Sequence, residues 1–302
     1  MKKLIVIALM FFFPLTGWAL DYTNMVSNWN FDESSGNADD NKGNNVLVNS
    51  NGTTFATGKI NNGADLESGS SNSFYIEDAN ITGLDETDDF TASLWIKPES
   101  NGTNSTIFGK WNSTGDKRSY EIFLDASNQI KAYISSDGTN ANTSKIQITN
   151  SALSNGTWYH IVVVYTATTG SITTYVNNSA HTTTGHKTNI YNSDSNFSVG
   201  GDLGEWGIFD GMVDEFSFWN SALGSGSVGE LYNSGAGLAY EPETPPEETA
   251  TSTASTTFQT YGGIQIQSIN PFYLILFFAI FSAVWIYAGK IIIWLYHILT
   301  RF

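Results

Sequence analysis

Period-two alternation is the strongest constraint in this sequence. In "DFTASLWIKP", Phe90, Ala92, Leu94 and Ile96 fall on one face, with Thr91, Ser93, Trp95 and Lys97 opposite. "SYEIFLDA" alternates Tyr120, Ile122 and Leu124, "QIKAYISS" alternates Ile130, Ala132 and Ile134, and "SITTYVNN" alternates Ile172, Thr174 and Val176. "WYHIVVVYTA" is nearly continuous apolar, which predicts a central strand covered on both faces. Asn-Gly or Asp-Gly turns punctuate the chain at Asn51, Asn62, Asn101, Asp137 and Asn155. Many short strands, frequent turns and almost no helical periodicity predict an all-β chain folded as an antiparallel β-sandwich. Only Ser227–Asn233 reads as helix, with Ser227 and Glu230 at capping-box spacing and Gly235 as the stop.

This texture holds over residues 21–240. Residues 241–270 change to Pro, Glu, Thr and Ser, a composition that predicts a solvated, extended stalk. Residues 271–299 are predicted to be a transmembrane anchor. Phe272–Gly289 is uncharged and long enough for a hydrocarbon core of about 30 Å, and Lys290 and Arg301 beyond it predict an ectodomain outside and a short cytoplasmic end. Residues 1–19 read as a signal peptide: Lys2 and Lys3, then apolar Leu4–Phe13, then Gly17-Trp18-Ala19 as a small-x-small cleavage site. The expected product is exported and held in the membrane by a single pass.

Composition removes several function classes. The net charge of −16 repels phosphate backbones, so nucleic acid is not an expected partner. Without cysteine there is no disulfide, thiolate nucleophile or thiolate-bound zinc. The four histidines form no HxH or HExxH spacing, and no GxSxG elbow or phosphate-cradling Gly-rich loop is present.

"FDGMVDEFSFWNSAL" (209–223) holds adjacent acids. Strict alternation puts Asp214 in phase with Met212, Phe216 and Phe218, and puts Glu215 in phase with Val213 and Trp219. Two acids on opposite faces cannot flank one bond as a glycosidase pair does. Glu215 then reads as an ion-paired or solvated acid, whereas Asp214 must be paired, hydrogen-bonded or metal-bound. Glu121 and Asp125 share a phase, with Phe123 between them in place of an acid. The chain is therefore expected not to be an enzyme, with glucan hydrolysis the alternative set aside. Among nine tryptophans, Trp95, Trp158 and Trp219 fall on predicted strands. Trp111 and Trp206 fall in apparent loops rich in Gly, Asn and Asp, and are the candidate ligand-stacking rings, with Asp202 beside them to read hydroxyls.

Five segments together carry a resemblance: "WNFDESSGNADDNKGNN" (29–45), "GKINNGADLESGSSNSFYIED" (58–78), "DDFTASLWIKP" (88–98), "WYHIVVVYTATTGSITTYVNN" (158–178) and "FDGMVDEFSFWNSALGSGSVGELYNSG" (209–235). In this order they resemble the laminin-G-like domains of the concanavalin-A-like jelly rolls. The resemblance implies a jelly-roll sandwich and a role in adhesion or in binding a glycan or another cell-surface molecule. It also implies a structural calcium site joining Asp214 to the early loop at Asp40 and the Asn44 carbonyl. The metal-free alternative has Asp214 accepting backbone N–H bonds from that loop. The domain order also suits the attachment (minor coat) protein of a filamentous-type phage, the alternative to a cellular adhesin.

Overall fold

In the computed structural model, the described residues are Leu20, 22–85, 87–100, 102–149, 151–201 and 206–241, with the backbone of 259–261 and 264–266. The signal peptide, almost all of the stalk and the anchor lie outside them, as does Asp202. No helix among the described residues is long and apolar enough to cross a membrane. The chain divides into two units, Met1–Pro242 and Glu243–Phe302. In the second, Gln259–Tyr261 pairs antiparallel with Ile264–Ile266.

The described residues of the first unit form sixteen strands and one α-helix: β1 (Met25–Trp29), β2 (Val48–Ser50), β3 (Thr54–Thr57), β4 (Asn62–Leu66), β5 (Ser73–Ile76), β6 (Phe90–Pro98), β7 (Ser105–Asn112), β8 (Lys117–Leu124), β9 (Ile130–Ser135), β10 (Thr143–Gln147), β11 (Tyr159–Thr166), β12 (Ser171–Val176), β13 (Ser179–Thr183), β14 (Phe197–Val199), β15 (Gly207–Ile208), β16 (Gly211–Trp219) and α1 (Ser225–Tyr232). The first sheet runs β13-β12-β11-β6-β16-β4-β3, with β1 also on β16. The second runs β10-β9-β8-β7-β14-β5-β2, with β15 on β7. Every ladder among the described residues of the first unit is antiparallel except β15 on β7. This is the predicted antiparallel β-sandwich, and β11 is the interior strand its apolar run predicts.

The facing sides bury one aromatic-rich core. Phe90 lies against Phe218 at 5.4 Å, and Phe216 lies 5.2 Å from Trp29 and 4.9 Å from Phe108. The polar atoms carried inward are satisfied: Trp29 Nε1 donates to the Asn45 carbonyl at 2.7 Å, and Tyr120 Oη to the Leu84 carbonyl at 2.9 Å. Lys110 is also turned inward and fully buried. It is held by Asp78, by Asp85 at 2.9 Å and by the Ser195 carbonyl at 2.9 Å.

β16 departs from strict alternation. Asp214 opposes Trp95 but Ser217 opposes Ser93, so one extra residue is inserted between them, and Glu215 takes φ 49°. This bulge reverses the predicted parity. Val213, Phe216 and Phe218 enter the core, whereas Trp219 packs outside it with Leu20, Met25 and Leu231. Asp214 therefore does not share a side with the two phenylalanines. The bulge also lets two strands share one edge of β16: β4 pairs with residues 211–213 and β1 with 216–219.

The helix begins two residues before the predicted start. Its N-cap is Gly224 with no side-chain cap, and Asn233, left-handed at φ 46°, ends it. Ser227 is thus interior and the predicted capping box is not used. Val228 packs on Val162, Val164 and Tyr175, and Leu231 joins the Trp219 cluster. The helix and the segments around Tyr22 and Tyr240 cover the outer face of the first sheet.

Candidate functional site

The outer face of the second sheet carries no α-helix among the described residues. Cross-strand pairing builds one row across it: Lys145, Tyr133, Glu121, Gly109, Ser198, Tyr75 and Val48. Their strand neighbours Ile134, Tyr120, Phe108, Phe197 and Phe74 belong to the core, so the row points outward.

Aromatic rings gather at the β8–β9 end. Phe123 meets Tyr133 edge-on at 4.8 Å and is stacked by Trp206 at 5.4 Å and 25°. Trp206 lies 6.3 Å from Tyr133, and Trp111 lies 5.9 Å from the same ring. Phe123 is buried and Trp206 only half-buried, so Trp206 is the upper ring of the stack. Two devices hold it. The next residue begins β15, where the Gly207 N–H donates to the Asn104 carbonyl at 2.9 Å. Its own Nε1 donates to Glu121 Oε2 at 3.0 Å, and Thr106 Oγ1 donates to Glu121 Oε1 at 2.7 Å. Glu121 is 0% exposed, so its carboxylate anchors an indole from below.

Beyond the small residues Gly109 and Ser198, the row continues into a cleft of about 310 Å³ lined by Tyr75, Glu77 and Asn196. Tyr75 and Glu77 also border a second cleft of about 560 Å³ with Asn44, Val46 and Asn80. A third, of about 370 Å³, lies elsewhere, between Leu153, Tyr159 and His181.

The acids of β16 sit on the other sheet. Asp214 Oδ2 accepts the Lys59 and Ile60 N–H groups at 2.7 and 2.9 Å, and Oδ1 accepts the Glu215 N–H at 2.8 Å. The same turn is gripped from its other side by Asp32, which accepts the Asn62 N–H at 2.9 Å. Gly58 makes this close approach feasible, since a Cβ there would lie 2.6 Å from Asp214 Oδ2. Burial pushes Asp214 up to about 7 against the three N–H bonds, which pull it down. Burial, then the Asp214 and Asp32 charges, push Glu215 up to about 8. Glu215 is 6% exposed, accepts the Tyr240 N–H and makes no ion pair among the described residues. It is thus neither solvated nor ion-paired, as parity suggested, because the bulge carries it under the terminal segments. On the same face, His160 is buried between Trp95 and Tyr232, hydrogen-bonded to Ser93 Oγ, and pushed down to about 3 by burial.

A laminin-G profile described as the concanavalin A-like lectin/glucanases superfamily matches residues 67–229, more than half of the chain. The chain belongs to the concanavalin A-like superfamily. No curated protein matches it. Among solved structures it is similar to domain 4 of an extracellular GH43 arabinanase from Geobacillus stearothermophilus, in complex with arabinotriose. That match has 17% identity and a TM-score of 0.54, covering 71% of this chain and 98% of that one. It is also similar to the binding domain of Paraclostridial Mosquitocidal Protein 1 (17%, TM-score 0.55, 70% and 52% covered). A third is botulinum neurotoxin type C, in a study of cell entry through two ganglioside molecules (14%, TM-score 0.52, 70% and 51% covered). This chain spans about half the length of the two toxin chains. At these identities the likeness is one of fold.

Within this concanavalin A-like domain, the two predicted rings reach one face, Trp206 from the bend that precedes β15 and Trp111 from within β7. Trp111 is on β7 and 2% exposed, so it is packing beneath the face and presents no open ring. Trp206 remains the candidate. Tyr133 and Phe123 were missed as partners, although the outward phase of "SYEIFLDA" and "QIKAYISS" holds both. The calcium ligands implied by the resemblance serve two separate loops. Asp40 Oδ1 accepts the Asn28, Lys42 and Gly43 N–H groups, and Oδ2 accepts that of Asn45. Asp214 holds the 58–60 turn, and Asn44 borders the cleft beside Val46. Carboxylates filled by N–H donors do not fit a shared cation, which needs those lone pairs for itself. The loop-to-strand tie does exist, but it runs from Asp32 through the 59–62 turn to Asp214.

Proposed function

We propose that this domain is a non-catalytic carbohydrate-binding module whose ligand stacks on Trp206 and runs across the outer face of the second sheet. The observation that carries this reading is the mounting of Trp206: one ring face backed by Phe123, the indole nitrogen fixed to buried Glu121. A ring fixed in this way stacks on a sugar's C–H face without first losing conformational freedom. The clefts around Tyr75 and Glu77 offer polar groups in line with it along the row. The ligands of the structural neighbours, arabinotriose and gangliosides, agree with this class.

The acids of this face argue against hydrolysis there. Glu121 is committed to Trp206 and Thr106, and the acid next along its row, Glu77, follows β5, three strand spacings away, about 14 Å. Glycosidic bond cleavage needs carboxylates about 5–10 Å apart. The leader and apolar tail read from the sequence support display at a membrane surface, the 241–270 stretch acting as spacer.

A glycan array probed with the full-length protein tests the proposal. We expect binding to a defined set of glycans and at least tenfold weaker binding by Trp206→Ala at an unchanged melting temperature. A blank array, or a Trp206→Ala variant that binds as well as the parent, would sink it.

A further inference from the structure

The row across the second sheet is electrically one-sided, and we infer that its ligand is an anionic glycan whose carboxylate or sulfate is received by Lys145. This rests on the reading of that face as glycan-binding and adds the ligand's charge and direction. The domain lies in a chain of net charge −16, yet Lys117 and Arg118 on β8, Lys131 on β9 and Lys145 on β10 stand together on three adjacent strands. At the far end, β14, β5 and β2 carry no lysine or arginine, and Glu77 is shared by both clefts.

Pairing decides which cation is left over. Lys117 is bound to Asp194 at 2.9 Å, Arg118 to Asp116 at 2.8 Å and Lys131 to Asp125 at 3.2 Å. Lys145 is exposed and has no carboxylate at ion-pair distance among the described residues. Its ammonium instead sits 5.4 Å from the centre of the Tyr133 ring. That ring lies 6.3 Å from Trp206, so Lys145 stands within a disaccharide's reach of the stacking platform. The acid nearest in the row, Glu121, is buried under Trp206, accepts from it and from Thr106, and makes no ion pair with Lys145. A neutral polysaccharide gains only hydroxyl hydrogen bonds from a surplus ammonium beside the platform. An anionic sugar gains a charge-assisted contact at one end only, which fixes the direction in which the chain lies.

Calorimetry on the full-length protein tests this with three probes: a uronate-containing oligosaccharide, its methyl ester and the neutral parent sugar. We expect the acid form to bind at least tenfold more tightly than the ester and to weaken as sodium chloride is raised. Lys145→Gln should erase that preference while the melting temperature stays unchanged. Equal binding of acid and ester, both lost in Trp206→Ala, would overturn the charge inference and leave the stacking platform standing. A preference that survives Lys145→Gln would overturn it as well. Failure of all three probes, together with a blank array, would overturn both.

Discussion

Glu215 concentrates three costs in one residue. Its φ of 49° is a left-handed conformation, worth about 1–2 kcal/mol against a side chain, and its carboxyl is buried beside Asp214 and Asp32. Raised carboxyl pKa values mean that the folded state holds protons the unfolded chain releases. The contribution of Asp214 and Glu215 to stability is therefore complete below their ordinary values of 3.8 and 4.5. It is lost as pH rises through about 7 and 8. Thermal melts should show a Tm that falls between about pH 5 and pH 9, and Glu215→Gln should flatten the curve and melt above the parent at the alkaline end. A wild-type Tm that does not fall over this range would refute the assignment. Because the Asp40 and Asp214 oxygens face N–H donors, the same melts with and without EDTA should coincide, since a cation bound only to the native state would raise Tm.

At the scale of elements, two departures from regularity do the positioning: the bulge in β16 and the short parallel strand β15. The bulge carries Asp214 and Glu215 away from the core, and β15 delivers Trp206 to the face. Gly207→Pro removes the N–H that bonds the Asn104 carbonyl. The expected outcome is glycan binding weakened about tenfold with Tm within a few degrees of the parent, read by calorimetry and by melting. Loss of stability without loss of affinity would show that β15 serves the fold and not the site. Strands and sandwich were legible in the sequence because period two survives almost everywhere. Asp214 was misread because strict alternation was extended through a position where it breaks. The spacing itself held the signal, since the inward residues Val213, Phe216 and Phe218 step by three and then by two. Trp206 was legible as a ring among Gly and Asp, but its partner Glu121 was not, because a contact across 85 residues leaves no local pattern. Trp111 looked like a loop residue because the Gly and Asn around it mimic a turn that β7 and β8 complete only after it.

At the scale of the whole domain, the two ends of its chain meet. Leu20 and Tyr22 pack with Leu238 and Tyr240 around Trp219, and the Tyr22 and Tyr240 rings lie edge-on at 5.2 Å. Tyr240→Ala removes a ring from this cluster and should cost about 1–3 kcal/mol by denaturant melts. It should leave glycan affinity unchanged, because the cluster lies on the first sheet and the proposed binding row on the second. A drop in affinity would show that the two faces communicate. That opposition of faces has a mechanical consequence. A ligand pulling on Trp206 while the chain is held beyond Tyr240 loads the sandwich through its thickness. Part of the tension follows the backbone, since residues 207–210 join Trp206 to β16 in the first sheet, and part passes through the packed rings of Phe90, Phe108, Phe216 and Phe218. A module loaded in this way resists by both routes, and the Tyr22–Tyr240 contact sits where the chain leaves the sandwich.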